Sequence, residues 1–335
     1  MNSYSNPVRV GVAGATGYTG VELLKLLNRH PHVHLAAAMG APGAAPRHVP
    51  SLKRVWDATV NGLDLDVLAD TTDAVFLALP DHAAAEIAPP LVARGKRVFD
   101  LSGAFRLRDA EQRRRWYPKT PEASPAVVYG LTERYRADLR DSLLVACAGC
   151  YPTAAILALR PLLDQSLLDV DGAPLIIDAK SGVSGAGKTP TERTHFSECH
   201  GSLSAYGVFD HRHAAEIEQE LGTAVTFVPH LLPIDRGILE TIYARVAQGV
   251  DERAIAAAMH AAYADSPFVR LTGADLPEIK HVAHTNFCDI GWRLNPATRQ
   301  LVMVSCIDNL VKGAAGQAVQ NFNVAFGFDE GLGLN

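Results

Sequence analysis

A glycine-rich segment near the start of the chain constrains its fold more than any other feature. Gly11, Gly14 and Gly17 lie between the apolar run RVGVAG at 9–14 and the segment TGVELLKLLNRH at 19–30, whose apolar residues recur with helical spacing. Glycines at a strand–helix junction let the backbone approach a phosphate, and the helix start offers N–H groups and partial positive charge. The pattern predicts a dinucleotide-binding loop that includes Thr16, with a tight structural turn as the alternative.

The remaining pattern predicts an α/β chain of two domains. After the strand at 9–14, further strands are expected at 33–39, 74–80, 97–103 and 142–150, with helices between them. This alternation predicts a doubly wound Rossmann-type domain over 1–149. From 150 to 309 the strands are longer and the helices fewer, which predicts an α+β domain with a mixed sheet. A helix rich in small residues is expected at 308–326, with 310–335 packing back on the first domain.

Length, net charge and cysteine content limit the classes of partner and the cellular compartment that are expected. A length of 335 residues suits two domains, and the formal net charge of -5 favours neither nucleic acid nor anionic lipid as a partner. The sequence contains no run of eighteen apolar residues, so no membrane span is expected. The first residues lack the positively charged and then apolar segments of a secretory signal. The five cysteines are expected to be reduced thiols in the cytoplasm rather than a disulfide framework.

The end of the second predicted strand bears on the choice of cofactor. An NAD site usually has Asp or Glu there to hold the ribose hydroxyls, whereas this strand ends Ala38-Met39-Gly40-Ala41. The absence of an acid leaves room for a 2′-phosphate, so the sequence predicts NADP. Either Arg47 or Lys53 is a candidate to contact that phosphate from the following loop.

Cys150 is the strongest candidate for covalent chemistry. It follows a strand in the segment AGCYPT at 148–153, and Pro152 is expected at the first position of a helix. A helix start stabilises a thiolate, and its N–H groups can receive an oxyanion after attack on a carbonyl. The alternatives are an inert buried cysteine, which describes Cys147 better, or a redox pair of Cys147 with Cys150. Zinc needs more ligands than this pair supplies, so no metal is predicted.

Two clusters contain candidate histidines. In Asp210-His211-Arg212-His213 the aspartate is expected to cap a helix on which His213 and Glu216 share a face. A carboxylate behind an imidazole is the arrangement that activates a thiol, and a solvated helix start is the alternative. The second cluster, at 195–200, has loosely metal-like spacing and is interpreted as a surface loop.

The segment GVSGAGKT at 182–189 matches the phosphate-binding loop of NTPases. That loop must open a helix, but Thr189 is followed by Pro190 and then by polar residues without an apolar face. The segment is therefore interpreted as a glycine-rich loop lining the active site.

Over nearly its whole length the sequence resembles the N-acetyl-gamma-glutamyl-phosphate reductases of arginine biosynthesis. The stretches that carry the resemblance are GATGYTGVELLKLL, FLALPDHAA, DLSGAFRL, AGCYPTAA, KSGVSGAGK, HRHAAEI, FVPHLLPIDRGI, CDIG and DNLVKGAAGQAVQNFN. In related aspartate-semialdehyde dehydrogenases a histidine usually follows the Arg-Gly pair, whereas here Ile238 follows Arg236-Gly237. The chain departs from the family at Met39-Gly40-Ala41, Cys147-Ala148 and Ala215.

The resemblance implies an NADPH-dependent reduction of N-acetylglutamyl phosphate to its semialdehyde through a cysteine thioester, in a homodimer or homotetramer. It implies that Cys150 is the nucleophile and that His213 is the acid/base, with Glu216 behind it. The other implied roles are substrate binding by Arg106, His230 and Arg236, and positions near the nicotinamide for Ser102, Gly182 and Asn309. Alternatives are a reductase of a carrier-bound aminoadipyl phosphate or of an aspartyl phosphate, and a non-catalytic NADP-binding regulator.

Overall fold

The computed structural model describes residues 6–120 and 126–334. It divides into two compact units, the described residues of Met1–Gly149 with Ala314–Asn335, and Cys150–Gly313. The return to the first unit was predicted at 310 and falls instead after Gly313. The cause is Asp308, whose carboxylate accepts hydrogen bonds from the N–H groups of Leu310 and Val311 and whose carbonyl accepts from Gly313. These bonds keep the turn with the strand that precedes it.

Six parallel strands form the sheet of the first unit, in the order β2-β1-β3-β4-β6-β5. They are β1 (Val8–Ala13), β2 (Val33–Met39), β3 (Ala74–Leu77), β4 (Arg97–Asp100), β5 (Val127–Gly130) and β6 (Leu144–Cys147). All four residues of β3 and of β6 are buried, which explains why these strands are apolar throughout rather than alternating. The predicted doubly wound sheet is confirmed.

Helices connect these strands. They are α1 (Tyr18–Arg29), α2 (Leu65–Thr71), α3 (Asp81–Ala93), α4 (Ala110–Trp116) and α5 (Thr132–Leu139). The helix α1 buries an apolar face that includes Leu23, Leu24 and Leu27. An apolar core forms where α2 and α3 pack on the sheet, with Leu68, Ala84 and Leu91 among its buried members.

The second unit contains a seven-stranded mixed sheet in the order β11-β12-β13-β10-β7-β9-β8. Its strands are β7 (Leu175–Gly182), β8 (Ser204–Ala205), β9 (Val225–Leu232), β10 (Ile238–Arg245), β11 (Val269–Gly273), β12 (Cys288–Asn295) and β13 (Gln300–Ile307). The pairs β7–β9 and β11–β12 are parallel and the other four pairs are antiparallel. The predicted mixed sheet is confirmed.

Helices pack mainly on one face of this sheet, and the other face is half-exposed except at one end, where Val282 packs against Val304 and Cys306. The helices of the unit are α6 (Cys150–Asp164), α7 (Phe196–Cys199), α8 (Arg212–Leu221), α9 (Glu252–Tyr263) and α10 (Ile279–Val282). The helix α6 contacts β10 and β13, while α8 contacts β9. On β10 the residues alternate between buried, as in Ile238 and Ile242, and half-buried, as in Thr241 and Tyr243. This period of two separates the helix-covered face from a half-exposed face.

The last helix, α11 (Gly316–Phe326), belongs to the first unit and follows a π-helical turn at Val311–Ala315. All of its residues are buried. The Phe322 ring contacts the rings of Phe76 and Phe99, with centroids 5.7 and 5.8 Å apart. No helix in the described part of the chain is long and apolar enough to cross a membrane.

Candidate active site

The loop between β1 and α1 has the shape that a pyrophosphate needs. Gly14 has a φ of 84°, and a Cβ there would lie 2.1 Å from the carbonyl oxygen of Ala78, so only glycine fits. Gly17 precedes α1, which begins with no side-chain cap and no acidic residue in its first turn. The start of α1 therefore presents backbone N–H groups and partial positive charge without a competing side chain. Gly11 lies inside β1, where a Cβ would come 2.8 Å from Leu68, so its small size serves helix packing.

The end of β2 lies beside a loop that contains one of the two candidate cations. Met39 forms an isolated bridge with Asn61, and the neighbouring residue Val60 forms one with Arg47. The backbone of Arg47 is thereby joined to the end of β2 through the 60–61 segment. Lys53 lies further along the loop, just after a short 3₁₀ turn at Pro50–Leu52.

A buried polar cluster follows β4, at the carboxyl edge of the sheet. The carboxylate of Asp100 accepts hydrogen bonds from the backbone N–H and the hydroxyl of Ser102, at 2.9 and 2.8 Å. Burial raises the pKa of Asp100 to about 6, against the opposing effect of these two bonds. The Arg106 side chain donates to the carbonyls of Cys147 and Leu101, both at 2.8 Å. Ser102 and Arg106 are therefore fixed where β4 and β6 end, the edge at which ligands bind in such sheets.

Cys147 and Cys150 have different environments. Cys147 is enclosed at the end of β6, where the side-chain amide of Asn321 contacts its sulfur at 3.6 Å. Burial raises the pKa of Cys147 to about 12. Cys150 is partly exposed and is the first residue of α6. The helix thus begins two residues earlier than predicted, and Pro152 lies third, still within the turn whose N–H groups have no intrahelical partner.

Cys150 rests against the turn that closes its unit. A Cβ added to Gly313 would lie 2.7 Å from the Cβ of Cys150 and 3.1 Å from its Cα. Only glycine at 313 allows this approach. The same turn is held by the Asp308 carboxylate, whose other oxygen accepts from the N–H of His284 at 2.6 Å.

Two histidines pack beside Tyr151, the residue that follows Cys150. The ring of Tyr151 lies edge-on to those of His211 and His213, with centroids 5.9 and 5.8 Å apart. The hydroxyl of Tyr151 is 3.3 Å from that of Tyr206. The chain therefore joins Cys150 to the predicted acid/base His213 through its immediate neighbour. Sequence reasoning missed both tyrosines, since Tyr206 lies in a polar segment without any motif.

The first histidine of the HRH segment is a helix cap. His211, not Asp210 as predicted, precedes α8, and its Nδ1 accepts a hydrogen bond from the N–H of His213 at 3.1 Å. Asp210 lies one residue too early, in a turn in which its N–H donates to the carbonyl of Gly207. Burial lowers the pKa of His211 to about 4, so the ring is neutral at pH 7 and Nδ1 can accept. His213 and Glu216 are both buried on α8.

Three more predicted residues come together at the end of β7. The side-chain amide of Asn309 donates to Ser184 Oγ at 3.0 Å, and its oxygen accepts from the N–H of Gly237 at 2.7 Å. A Cβ on Gly182 would lie 2.6 Å from the carbonyl oxygen of Asp235. Arg236 extends towards the buried carboxylate of Asp308, with Nη1 3.5 Å from Oδ2. Gly182, Arg236 and Asn309 thus form one packed cluster.

The structure separates His230 from this cluster. On β9 the buried residues are Phe227, Pro229 and Leu231, so His230 points to the open face of the sheet. Its Nδ1 lies 3.2 Å from Asp178 Oδ1, and both residues line a shallow pocket of about 510 Å³ there. Tyr151 instead packs against Phe227 on the helix-covered face.

A larger pocket of about 840 Å³ lies in the second unit. Its lining includes Gly185, Ala186, Arg193, Tyr206, His211 and Arg212. The segment 182–189 forms one wall: β7 ends at Gly182 and a 3₁₀ turn follows at Val183–Ala186, in place of the helix that an NTPase loop opens. Among residues 6–120 and 126–334, no three His, Cys, Asp or Glu side chains are grouped as metal ligands.

Two family models match the chain. One, described as the NAD binding domain of semialdehyde dehydrogenase, matches residues 9–142. The other, described as the semialdehyde dehydrogenase dimerisation domain, matches residues 150–309. With a parallel dinucleotide-type sheet and a cysteine at the first residue of α6, these matches define a semialdehyde dehydrogenase.

Sequence relatives show to which group of semialdehyde dehydrogenases the chain belongs. The chain is 45% identical over 338 residues to the N-acetyl-gamma-glutamyl-phosphate reductase of Syntrophobacter fumaroxidans, which covers 98% of both chains. It is equally 45% identical over 340 residues to the protein of that name from Desulforudis audaxviator, again over 98% of both. The chain belongs to the N-acetyl-gamma-glutamyl-phosphate reductase family, which confirms the resemblance in its sequence.

Solved structures share the fold. Aspartate semialdehyde dehydrogenase II of Vibrio cholerae, complexed with ASA, has a TM-score of 0.72 at 16% identity, over 95% of this chain and 98% of that chain. The Candida albicans aspartate semialdehyde dehydrogenase with NADP has a TM-score of 0.69 at 15% identity, over 95% and 98%. At these identities the likeness extends to the fold alone.

Proposed function

We propose that this protein reduces N-acetylglutamyl phosphate to N-acetylglutamate semialdehyde in arginine biosynthesis, with Cys150 carrying the acyl group as a thioester. The observation that carries the proposal is the position of Cys150 as the first residue of α6, partly exposed and next to a tyrosine that packs on His213. A cysteine at a helix start is a stabilised nucleophile beside a ready oxyanion site. The substrate follows from membership of the family.

The covalent steps assign a role to each group. His213 takes the thiol proton of Cys150, and the sulfur attacks the acyl carbon, so that a C–S bond forms and the bond to the phosphate oxygen breaks. The proton on His213 passes to the departing phosphate. When bound, NADPH supplies a hydride to the thioester carbonyl carbon. The carbonyl then re-forms, the C–S bond breaks and the semialdehyde leaves, and the thiolate of Cys150 takes a proton from solvent through His213, which restores the starting thiol. N–H groups at the start of α6 stabilise the oxyanion in both halves.

Within each unit, separate contacts fix residues to which we assign roles in the reaction. Gly313 supports Cys150 from behind, while Ser102 and Arg106 are held by buried hydrogen bonds at the edge where the sheet ends. We assign the nicotinamide neighbourhood to Ser102, Gly182 and Asn309, and contacts with the acyl phosphate to Arg106 and Arg236. The side chain of His230 lies on the open face of the seven-stranded sheet, away from the cluster of Gly182, Arg236 and Asn309.

NADP rather than NAD is the cofactor that the first unit favours. The Gly14 turn and the uncapped start of α1 fit a pyrophosphate, and the residues expected to hold it are Gly14, Thr16 and Gly17. The end of β2 offers no carboxylate for a ribose 2′-hydroxyl, while Arg47 is bridged to the segment beside it. An arginine is the side chain suited to a 2′-phosphate there.

We further propose a cytoplasmic homo-oligomer. Support comes from the half-exposed face of the seven-stranded sheet and from the family model's description as a dimerisation domain. A second copy of the chain can pack on such a face and bury it in a symmetric interface. Light scattering on the purified protein should give a mass of two or four chains.

The proposed reaction is tested in reverse. Purified protein given N-acetylglutamate semialdehyde, phosphate and NADP should form NADPH only when phosphate is present, and Cys150→Ser should lose nearly all turnover while still binding NADPH. A Cys150→Ser enzyme with near wild-type turnover excludes the covalent route. Assays with aminoadipyl and aspartyl substrates beside the acetylglutamyl one decide between the related reductases, and failure on all three leaves a non-catalytic cofactor-binding protein.

A further inference from the structure

The pocket of about 840 Å³ in the second unit contains a cation that the proposed reaction has not yet used. The guanidinium carbon of Arg193 lies 5.3 Å from the centre of the Tyr206 ring. This cation–π contact holds the side chain beside the tyrosine, and it leaves the N–H groups at the edge of the guanidinium for another acceptor. Within residues 6–120 and 126–334 the Arg193 side chain makes no hydrogen bond or ion pair.

Tyr206 connects this arginine to the residue that follows Cys150. Its hydroxyl is 3.3 Å from that of Tyr151, the residue next to Cys150, and its ring packs edge-on against His211 with centroids 5.6 Å apart. Burial is the main cause that raises the pKa of Tyr206, while the charges of Cys150 and Arg193 act on it in opposite directions. Tyr206 is thus within electrostatic range of both the thiol and the arginine.

The pocket is lined by both cations and anions, so recognition of an anionic ligand depends on where each cation lies. Arg212 lines it as a second cation, and Glu192 and Glu198 line it as anions. Arg193 is the cation of this set that is fixed on Tyr206. A carboxylate that enters the pocket beyond Tyr206 meets a guanidinium with its N–H groups uncommitted, and this fork-shaped donor matches a carboxylate in a bidentate geometry.

We propose that Arg193 binds the α-carboxylate of the acyl substrate, at the end opposite the carbon that Cys150 attacks. This inference rests on the proposed function. The phosphoryl group is bonded to the attacked carbon and has to lie beside Cys150, whereas the α-carboxylate is at the far end of the carbon chain. The guanidinium of Arg193 lies over the Tyr206 ring, whose hydroxyl is 3.3 Å from that of Tyr151, so an aromatic side chain stands between Arg193 and the residue next to Cys150, where the distal carboxylate is expected. Arg193 is thereby a specificity-determining residue.

In the reverse reaction, binding of the carboxylate and binding of the phosphate can be measured separately. The semialdehyde carries the carboxylate, and inorganic phosphate is a second substrate with its own KM. Arg193→Ala should raise the KM for N-acetylglutamate semialdehyde by about tenfold or more, as expected for the loss of a charge-assisted hydrogen bond. The KM values for phosphate and NADP should stay within about twofold of wild type. Arg193→Lys should recover only part of the loss, because a lysine does not form the bidentate pair. Arg253→Ala, on the exposed surface of α9, is the matched control.

A second measurement distinguishes loss of carboxylate binding in the Arg193 variant from misfolding of that variant. With a semialdehyde whose carboxylate is replaced by a carboxamide, the wild type should show the raised KM, and Arg193→Ala should add little further loss. A variant that raises the phosphate KM instead would assign Arg193 to the phosphoryl group, and one that changes neither KM would remove Arg193 from the site. A wild-type protein without phosphate-dependent activity would overturn the proposed function itself, a result distinct from either.

Discussion

The backbone of Gly313 lies so close to Cys150 that a Cβ on the glycine would be 2.7 Å from the Cβ of the cysteine. The N–H of Gly313 donates to the carbonyl of Asp308, whose carboxylate accepts hydrogen bonds from the N–H groups of Leu310 and Val311. The position of the nucleophile therefore depends on a turn at the other end of its unit. Several substitutions test this and related features.

Gly313→Ala should displace Cys150 or the turn behind it. An extra methyl in a packed site costs about 1–3 kcal/mol of stability, and we expect kcat to fall by at least about tenfold because the thiol loses its alignment. Initial rates and thermal unfolding measure both effects. Gly249→Ala is the control, since Gly249 has a positive φ but no atom within 4 Å of the added Cβ. If the two variants lose activity equally, the contact with Cys150 is irrelevant to turnover.

His213→Asn should lower kcat by about 10²–10⁴-fold, the range that a positioned acid/base contributes. The rate of the reductive direction at saturating substrate is the measurement. His260→Asn, on the exposed side of α9, controls for the loss of an imidazole from the same unit. An unchanged kcat in His213→Asn would remove this histidine from the proton transfer.

Arg47→Ala should raise the KM for NADPH by about tenfold and leave that for NADH nearly unchanged, because only NADPH carries the 2′-phosphate. Lys53→Ala distinguishes the two candidate cations in the same loop. Should Lys53→Ala carry the selective loss and Arg47→Ala none, the bridge between Arg47 and Val60 is not what directs the phosphate contact.

Glu240 supplies a prediction about pH. It is fully buried on β10, and neither carboxyl oxygen has a hydrogen-bond partner among the described residues. Burial raises its pKa well above the ordinary 4.5, against a smaller effect of Lys180. The unfolded chain ionises from about pH 4.5 while the folded chain keeps its proton, so this group's contribution to stability is lost as pH rises.

Glu240→Gln removes that titration. The difference in unfolding temperature between the variant and the wild type should therefore shift in favour of the variant as pH rises above 4.5, measured by thermal scans across a pH series. A difference that stays constant with pH would mean that the pKa of Glu240 is the same in the folded and the unfolded protein.

Local pattern was sufficient for much of the first unit. Strand β2 was predicted at 33–39 and found at Val33–Met39, although it is an edge strand in which His34 is exposed and only Ala38 and Met39 are buried. Later strands were predicted too long: apolarity continues beyond β4, but the chain leaves the sheet at Asp100, where the carboxylate binds Ser102. A hydrophobic pattern records burial and cannot tell where ladder hydrogen bonds stop.

In the site, sequence reasoning placed Cys150 at a helix start, where the structure has it, but missed arrangements that depend on three-dimensional neighbours. His211 rather than Asp210 caps α8, because an imidazole made neutral by burial can accept a hydrogen bond. His230 shares a motif with Arg236, yet the two-residue period of β9 turns its side chain to the open face. Arg193 and Tyr206 belong to no motif, and only the fold brings them together.

The contact between Cys150 and Gly313 also affects how the protein is made. Cys150 leaves the ribosome at the beginning of its unit, and Gly313 follows only after the last strand of the seven-stranded sheet. During synthesis the thiol therefore exists without its support until the unit is nearly complete. A chain cut short anywhere before the final turn lacks the assembled nucleophile, so partial products of translation are catalytically silent.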